Sequence, residues 1–256
     1  MPRPPSHAAA TARLRAAGCV FAEQEARVLL EAAGSPNELE RMLGEREAGA
    51  PLEVVVGWAD FGGQRILLDP GVFVPRRRTE LLADRAADLA GPGAVVLDLC
   101  CGSGAVAAVV HARVPGATVW AADADPVAVG CARRNLPPDR VLAGDLYDAL
   151  PAELLGRVDV LACNAPYVPT SALALMPAEA RLHEPSSALD GGADGLDLHR
   201  RVVAGARRWL SPGGHLLVET SSAQSASTRE LMAAAGLNAE IIDDVTLEGT
   251  VAIGRR

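Results

Sequence analysis

Apolar and polar positions follow one rhythm in the first fifty residues and another after them. From His7 to Ala17 and from Glu23 to Ala33, residues such as Leu14, Val28, Leu29 and Ala32 fall one or a few turns apart among Arg and Glu, which predicts two short helices. Ser35-Pro36-Asn37-Glu38 has the form of a third helix start. Ser35 is the cap, Pro36 suits the first helical position and Glu38 sits where a capping box needs it; this helix ends near Gly49. Val54 to Phe61 and Gln64 to Leu68 are β-rich runs flanking Gly62-Gly63, a predicted hairpin with a tight turn. A loop from Asp69 to Pro75 precedes a helix from about Thr79 to Ala90.

From Gly91 onward, short strand-like runs alternate with helices. The predicted strands are Val95 to Leu99, Thr118 to Ala122, Arg140 to Ala143, Val158 to Cys163, His215 to Glu219, Glu240 to Val245 and Thr250 to Ile253. The helices between them are Gly104 to Arg113, Pro126 to Asn135, Leu196 to Leu210 and Ala223 to Ala235. Such alternation predicts an α/β fold with a mostly parallel sheet covered on both faces. Only Thr246 to Gly249 join the last two runs, too short a link for a crossover, so they should pair antiparallel. The expected organisation is a helical N-terminal cap over 1–50, a β-hairpin linker over 51–75 and an α/β domain over 76–256.

Composition narrows the chemistry. The 256 residues carry 24 Lys+Arg against 32 Asp+Glu, a formal net charge of -8, which argues against bulk attraction to nucleic acid or an anionic membrane. Every cation is Arg. Without lysine there is no Schiff-base chemistry and no phosphate-binding P-loop. The five cysteines are odd in number and lack a Cys-x-x-Cys pair, so neither a disulfide framework nor a zinc ribbon is expected, and a reducing cytoplasm is. The Pro-rich start, Met1 to Ser6, lacks the apolar centre of a signal peptide.

The strand at Val95 to Leu99 runs into Asp98-Leu-Cys-Cys-Gly-Ser-Gly104 and opens a helix. Glycines there let the backbone approach a ligand, at the carboxyl end of a strand where open α/β sheets bind. Asp123, about 20 residues on, ends the next strand and can take both hydroxyls of a ribose. The run Cys100-Cys101-Gly102-Ser103-Gly104 lacks the third glycine of a dinucleotide site. Asp98 just before it suits a cofactor with a cationic amino-acid tail, which favours S-adenosylmethionine. Asp145 in Gly144-Asp145-Leu146 could accept from an adenine amino group or merely cap the next turn. The fourth strand ends in Asn164-Ala165-Pro166-Tyr167. The Asn164 side-chain oxygen and the Ala165 carbonyl can accept both hydrogens of a planar amino group, with Tyr167 stacked on its plane.

With these residues the chain resembles the protein-glutamine methyltransferases that modify the side-chain amide of a Gly-Gly-Gln loop in peptide-chain release factors, a branch of the Asn-Pro-Pro-Tyr class. The resemblance runs from Leu14-Arg-Ala-Ala-Gly18 through Pro70 to Arg76, Thr79-Glu80, the cradle and the Asn164 tetrad to Glu184-Pro185, Gly191 to Asp197 and Pro212 to Leu216. It implies a Rossmann-like class I methyltransferase sheet with an antiparallel strand at its C-terminal end. It implies that Asp98, the 100–104 loop, Asp123, Asp145, Leu146 and Asn164 hold S-adenosylmethionine, leaving S-adenosylhomocysteine as product. Asn164 to Tyr167 would grip the acceptor amide, with Asn164 and Tyr167 as the catalytic pair and the cap recognising a protein substrate. A monomer with no metal is expected. Three departures stand out. Ala165 replaces a proline whose carbonyl alone matters. Cys100 replaces a glycine and, having a Cβ, should keep φ below zero. The cap is about thirty residues shorter than in the release-factor enzymes, which leaves a methyltransferase of a small metabolite or peptide as the alternative. A non-catalytic nucleoside- or partner-binding protein is the alternative from another class. Arg76-Arg77-Arg78 could meet substrate or simply solvate a helix start, while His183 and His199 read as surface or packing residues.

Overall fold

A computed structural model describes residues 5–256, so the Pro-rich start up to Pro4 lies outside the described residues. Helices α1 (His7–Ala16), α2 (Ala22–Ala32) and α3 (Pro36–Glu47) close on Leu14, Leu29, Leu39 and Leu43. Ser35 Oγ accepts from Glu38 N at 3.2 Å, and the Glu38 carboxylate accepts from Gly34 N at 2.9 Å, one residue earlier than a standard capping box. A partly buried Arg46–Glu25 pair at 2.7 Å ties α3 to α2.

The first run of the predicted hairpin starts four residues too early. Leu52–Val56 is a short helix, α4, ended by Gly57 in the left-handed conformation at φ 80°. Leu52, Val55 and Val56 all pack on the helical cluster, while Val54 packs on Leu68, Val72 and Val74. That is an i, i+3, i+4 face, and its burial overrides the β preference of three valines in a row. The hairpin itself is β1 (Trp58–Phe61) and β2 (Gln64–Leu67). They turn through Gly62 and Gly63, both at positive φ as a two-residue loop demands.

A 3₁₀ turn at Arg77–Thr79 leads into α5 (Glu80–Leu89). Then follow β3 (Val95–Leu99), α6 (Ala105–Arg113), β4 (Thr118–Asp123), α7 (Pro126–Asn135), β5 (Val141–Ala143) and β6 (Val158–Cys163). The chain ends with α8 (Ala178–His183), α9 (Asp197–Trp209), β7 (Leu210–Glu219), α10 (Ser225–Ala234), β8 (Asn238–Asp244) and β9 (Gly249–Arg255). Helix α8 has no counterpart in the sequence expectation, and β7 begins at Leu210 rather than His215.

Seven strands lie in the order β5-β4-β3-β6-β7-β9-β8. All pairings are parallel except those of β9, which returns antiparallel between β7 and β8, as the short link before it requires. Along β3 and β6 successive side chains serve opposite faces. Val96, Val160 and Ala162 join the core under α5 and α6; Leu97, Leu161 and Cys163 join the one under α9 and α10. From β3 the order departs to β4 on one side and β6 on the other. That reversal opens a crevice beyond their carboxyl ends.

Candidate active site

The crevice is a cavity of about 560 Å³. Every predicted site residue lines it except Gly104. The two cradle glycines do different jobs. A Cβ on Gly104 (φ 77°) would come within 2.8 Å of Leu136 Cδ1 and 3.3 Å of Ala132 Cβ, so this glycine serves the packing of α6 on α7. A Cβ on Gly102 (φ 55°) would meet nothing within 4 Å, which leaves the backbone open to a ligand.

Cys100 corrects the expectation of negative φ: it sits at φ 56°. The loop around it is fixed from outside. Cys101 N donates to Ala122 O at 3.1 Å, Gly102 N to Asp123 Oδ2 at 2.8 Å, and Gly104 N to Cys101 O at 2.7 Å. Three bonds over-determine the turn, and the thiol residue accepts the left-handed conformation that results. From below, the Asn135 amide spans Leu67 O and Ser103 O, both at 2.9 Å, and ties the hairpin to the cradle.

Asp98 is almost fully buried and accepts from Ala107 N at 3.1 Å. Burial pushes its carboxyl up to about 7; the Ala107 N–H opposes the shift and the nearby Asp123 adds to it. Asp123 accepts from Gly102 N and, at 2.9 Å, from Asp125 N, and burial raises it too. Asp145 stands at the cavity lip in an ion pair with Arg201 of α9 at 2.7 Å, and its side chain caps no turn. Leu146 beside it is also left-handed, at φ 49°.

The tetrad after β6 is held from two sides. Asn164 Nδ2 donates to Thr79 Oγ1 at 3.3 Å. The Tyr167 hydroxyl donates to Glu219 Oε1 at 3.2 Å and accepts from Arg78 Nε at 3.1 Å; burial and then the Glu219 charge push its pKa up to about 12. On the other side, Gln224 Nε2 donates to Tyr167 O at 3.0 Å and Gly191 N to Val168 O at 2.8 Å. A Cβ on Gly191 would lie 2.8 Å from Pro166 O, and one on Gly195 2.3 Å from Tyr167 O. The 189–197 loop thus presses on the tetrad backbone. Among the described residues neither Asn164 Oδ1 nor the Ala165 carbonyl oxygen receives a hydrogen bond. Both residues line the cavity.

The Methyltransferase small domain family model matches residues 64–194. Over most of both chains, 90% of this one and 89% of the other, the protein is 36% identical to the release factor glutamine methyltransferase of Cereibacter sphaeroides. The chain belongs to the release factor glutamine methyltransferase family. Across 73% of this chain and 66% of the relative it is also 40% identical to the 4-amino-L-phenylalanine/4-methylamino-L-phenylalanine methyltransferase of Streptomyces pristinaespiralis. Among solved structures, a methyltransferase from Pyrococcus furiosus shares the fold, with a TM-score of 0.57 at 17% identity, covering 86% of this chain and 98% of that one.

The Arg76-Arg77-Arg78 triplet does more than solvate a helix start, because two of its members meet buried carboxylates. Arg76 pairs at 2.5 Å with the buried Glu184, and Arg78, though exposed, lies 3.5 Å from the buried Glu219; Arg77, also exposed, has neither contact. Glu184, Glu219 and Arg201 also support the site. The Glu184-Pro185 motif was a signal for the first, whereas the other two meet their partners only through the fold. His199 is fully buried, with Nδ1 3.1 Å from Thr228 Oγ1, and burial pushes it down to about 4.

Proposed function

We propose that this methyltransferase transfers a methyl group from S-adenosylmethionine to the side-chain amide nitrogen of a glutamine in a protein, with a peptide-chain release factor as the substrate. The observation that carries the reading is the pair of unpartnered acceptors, Asn164 Oδ1 and the Ala165 carbonyl, on residues that line the same cavity as the cradle.

The cradle fits the cofactor. Asp98, poised near neutrality in a buried site, would meet the ammonium of the amino-acid tail; Asp123 would take the ribose hydroxyls. The open backbone at Gly102, with Cys100, Cys101 and Ser103, would follow the chain between them, and Asp145 and Leu146 would flank the base. When bound, S-adenosylmethionine supplies a sulfonium methyl that a neutral nitrogen can attack.

The protein's task is to make an amide nitrogen behave as a nucleophile. Its lone pair is delocalised into the carbonyl. Asn164 Oδ1 and Ala165 O, each drawing on one N–H, shift density onto the nitrogen and favour its pyramidal form. Tyr167 holds the amide plane, and its ring faces the positive charge that develops. Once methylated, the nitrogen is acidic and loses one proton to Asn164 Oδ1 or solvent, so no strong base is needed. Fixing the amide in this pose supplies much of the rate.

The Streptomyces relative supports a second reading, in which the planar amino group belongs to a small aromatic amine rather than a glutamine. Labelled methyl transfer separates them, with purified release factor, a Gly-Gly-Gln peptide and 4-amino-L-phenylalanine offered in parallel. Label is expected in the release factor. Label in the amine alone would move the assignment to the second reading, and label in none of the three would overturn both. A cytoplasmic protein with a release factor as its transient partner follows from the first reading.

A further inference from the structure

Gly205 lies inside α9, and glycine is a poor helix former, so its place there needs a reason. The reason is the Tyr147 ring. A Cβ on Gly205 would stand 2.3 Å from Tyr147 Cε2 and 2.6 Å from its Cδ2. Arg201, Gly205 and Trp209 fall in one row along the helix surface, each four residues from the next, and the missing side chain opens a notch in that row. The ring sits in the notch. It stacks on Trp209 at a centroid distance of 5.9 Å and an interplanar angle of 8°, and its hydroxyl donates to Val202 O at 2.5 Å.

The residues just before Tyr147 gain from this seat. Asp145 and Leu146 line the cavity, whereas Tyr147 does not. On their N-terminal side, Gly144 N donates to Asp123 O at 2.9 Å and ties the corner to β4. On their C-terminal side, Tyr147 ties it to α9. Only Asp145 and Leu146 span these two fixed points. Leu146 takes a left-handed conformation there, φ 49°, which a leucine adopts only where its surroundings impose it. Arg201, from the same row of α9, pairs with Asp145 Oδ2 at 2.7 Å; Oδ1 has no hydrogen bond among the described residues. Arg201 thus occupies one oxygen of Asp145 and leaves the other unpartnered.

We infer that Tyr147, seated in the Gly205 notch of α9, is a positioning residue for the base of the cofactor: it holds Leu146 left-handed and sets Asp145 where its unpartnered oxygen accepts from an exocyclic amino group. The nucleoside so selected is a 6-aminopurine over its 6-oxo counterpart, which would present an acceptor to the same carboxylate. The inference rests on the proposed placement of the base beside Asp145 and Leu146. Displacing the ring moves the corner. The loss then falls on the amino-group contact rather than on the ribose or the amino-acid tail, which Asp123 and Asp98 would hold from β4 and β3.

The test is calorimetry on the full chain with S-adenosylhomocysteine and S-inosylhomocysteine, which differ only in that group. Wild type should prefer the adenine ligand by about tenfold or more, the scale of a hydrogen bond to a charged group. Gly205→Ala should cut affinity for S-adenosylhomocysteine roughly tenfold and leave S-inosylhomocysteine close to its wild-type value. Tyr147→Ala adds no atom, so it reads the same loss even where Gly205→Ala disturbs the helix. In the Tyr147→Ala background Gly205→Ala should cost nothing further, because both act through one contact. A merely loosened fold would weaken both ligands alike. Equal losses for the two ligands, or additive losses in the double variant, would overturn the inference. A wild type with no preference between the ligands would sink the placement of the base itself, and the inference with it.

Discussion

Burial holds Asp98 with a pKa of about 7, against an ordinary value of 3.8, and this has two consequences of opposite sign. In the free protein the native state binds more protons than the unfolded chain between those values. The Asp98 contribution is therefore fully present below about pH 4 and is lost as pH rises through 7. An ammonium placed beside the carboxylate reverses the preference, because it stabilises the charged form. Calorimetry with S-adenosylhomocysteine should show affinity rising with pH, by up to about tenfold per unit below pH 7 and levelling above it. Asp98→Asn should bind weakly with a flat profile; a flat profile in the wild type would remove Asp98 from the ammonium site. The sequence showed Asp98, Asp123 and the tetrad because each sits at a strand end in a recognisable local pattern. It did not show that Cys100 is left-handed, since three hydrogen bonds to β4 and within the loop impose that conformation.

The loop from Leu189 to Leu196 works as an element although it has no helix or strand of its own. It is pinned to Val168, the residue after the tetrad, by the Val168 N to Leu189 O bond at 3.1 Å and the Gly191 N to Val168 O bond. Gly191→Ala places a methyl group 2.8 Å from Pro166 O, 2.7 Å from Gly195 O and 2.8 Å from Gly195 Cα, so backbone must move. A stability loss of about 1–3 kcal/mol is expected, with methyl transfer falling further than S-adenosylhomocysteine affinity. Equal losses in both would show that the loop supports the whole cavity rather than the tetrad. At this scale most of the α/β part was legible: β3, α7 and β6 lie where the periodicity put them. Leu52–Val56 was not, because three adjacent valines read as a strand until the partners of Leu52, Val55 and Val56 are known. Glu219 reads in the sequence only as the end of a strand; its contacts are with the Tyr167 hydroxyl and with Arg78, about 140 residues earlier, reached across the sheet.

Across the whole molecule, the first helices keep a core of their own beside the two faces of the sheet. We propose that this cap, 1–50, is a separate recognition unit joined by the 51–75 segment. Leu29→Ala, at a fully buried position, should cost about 2–5 kcal/mol locally. Hydrogen exchange should then rise across α1 to α3 while S-adenosylhomocysteine still binds; loss of both together would make cap and sheet one cooperative unit. What joins the scales is the claim that the Asn164 end of β6 delivers a methyl group to an amide nitrogen. The most direct test is mass-spectrometric mapping of release factor after incubation with S-adenosylmethionine and either wild-type protein or Asn164→Ala. A single methyl on one glutamine side-chain nitrogen is expected. The rate should fall roughly 10²–10³-fold in the variant while S-adenosylhomocysteine affinity stays close to wild type. A methyl group at any other atom, or a wild-type rate in Asn164→Ala, would contradict the claim.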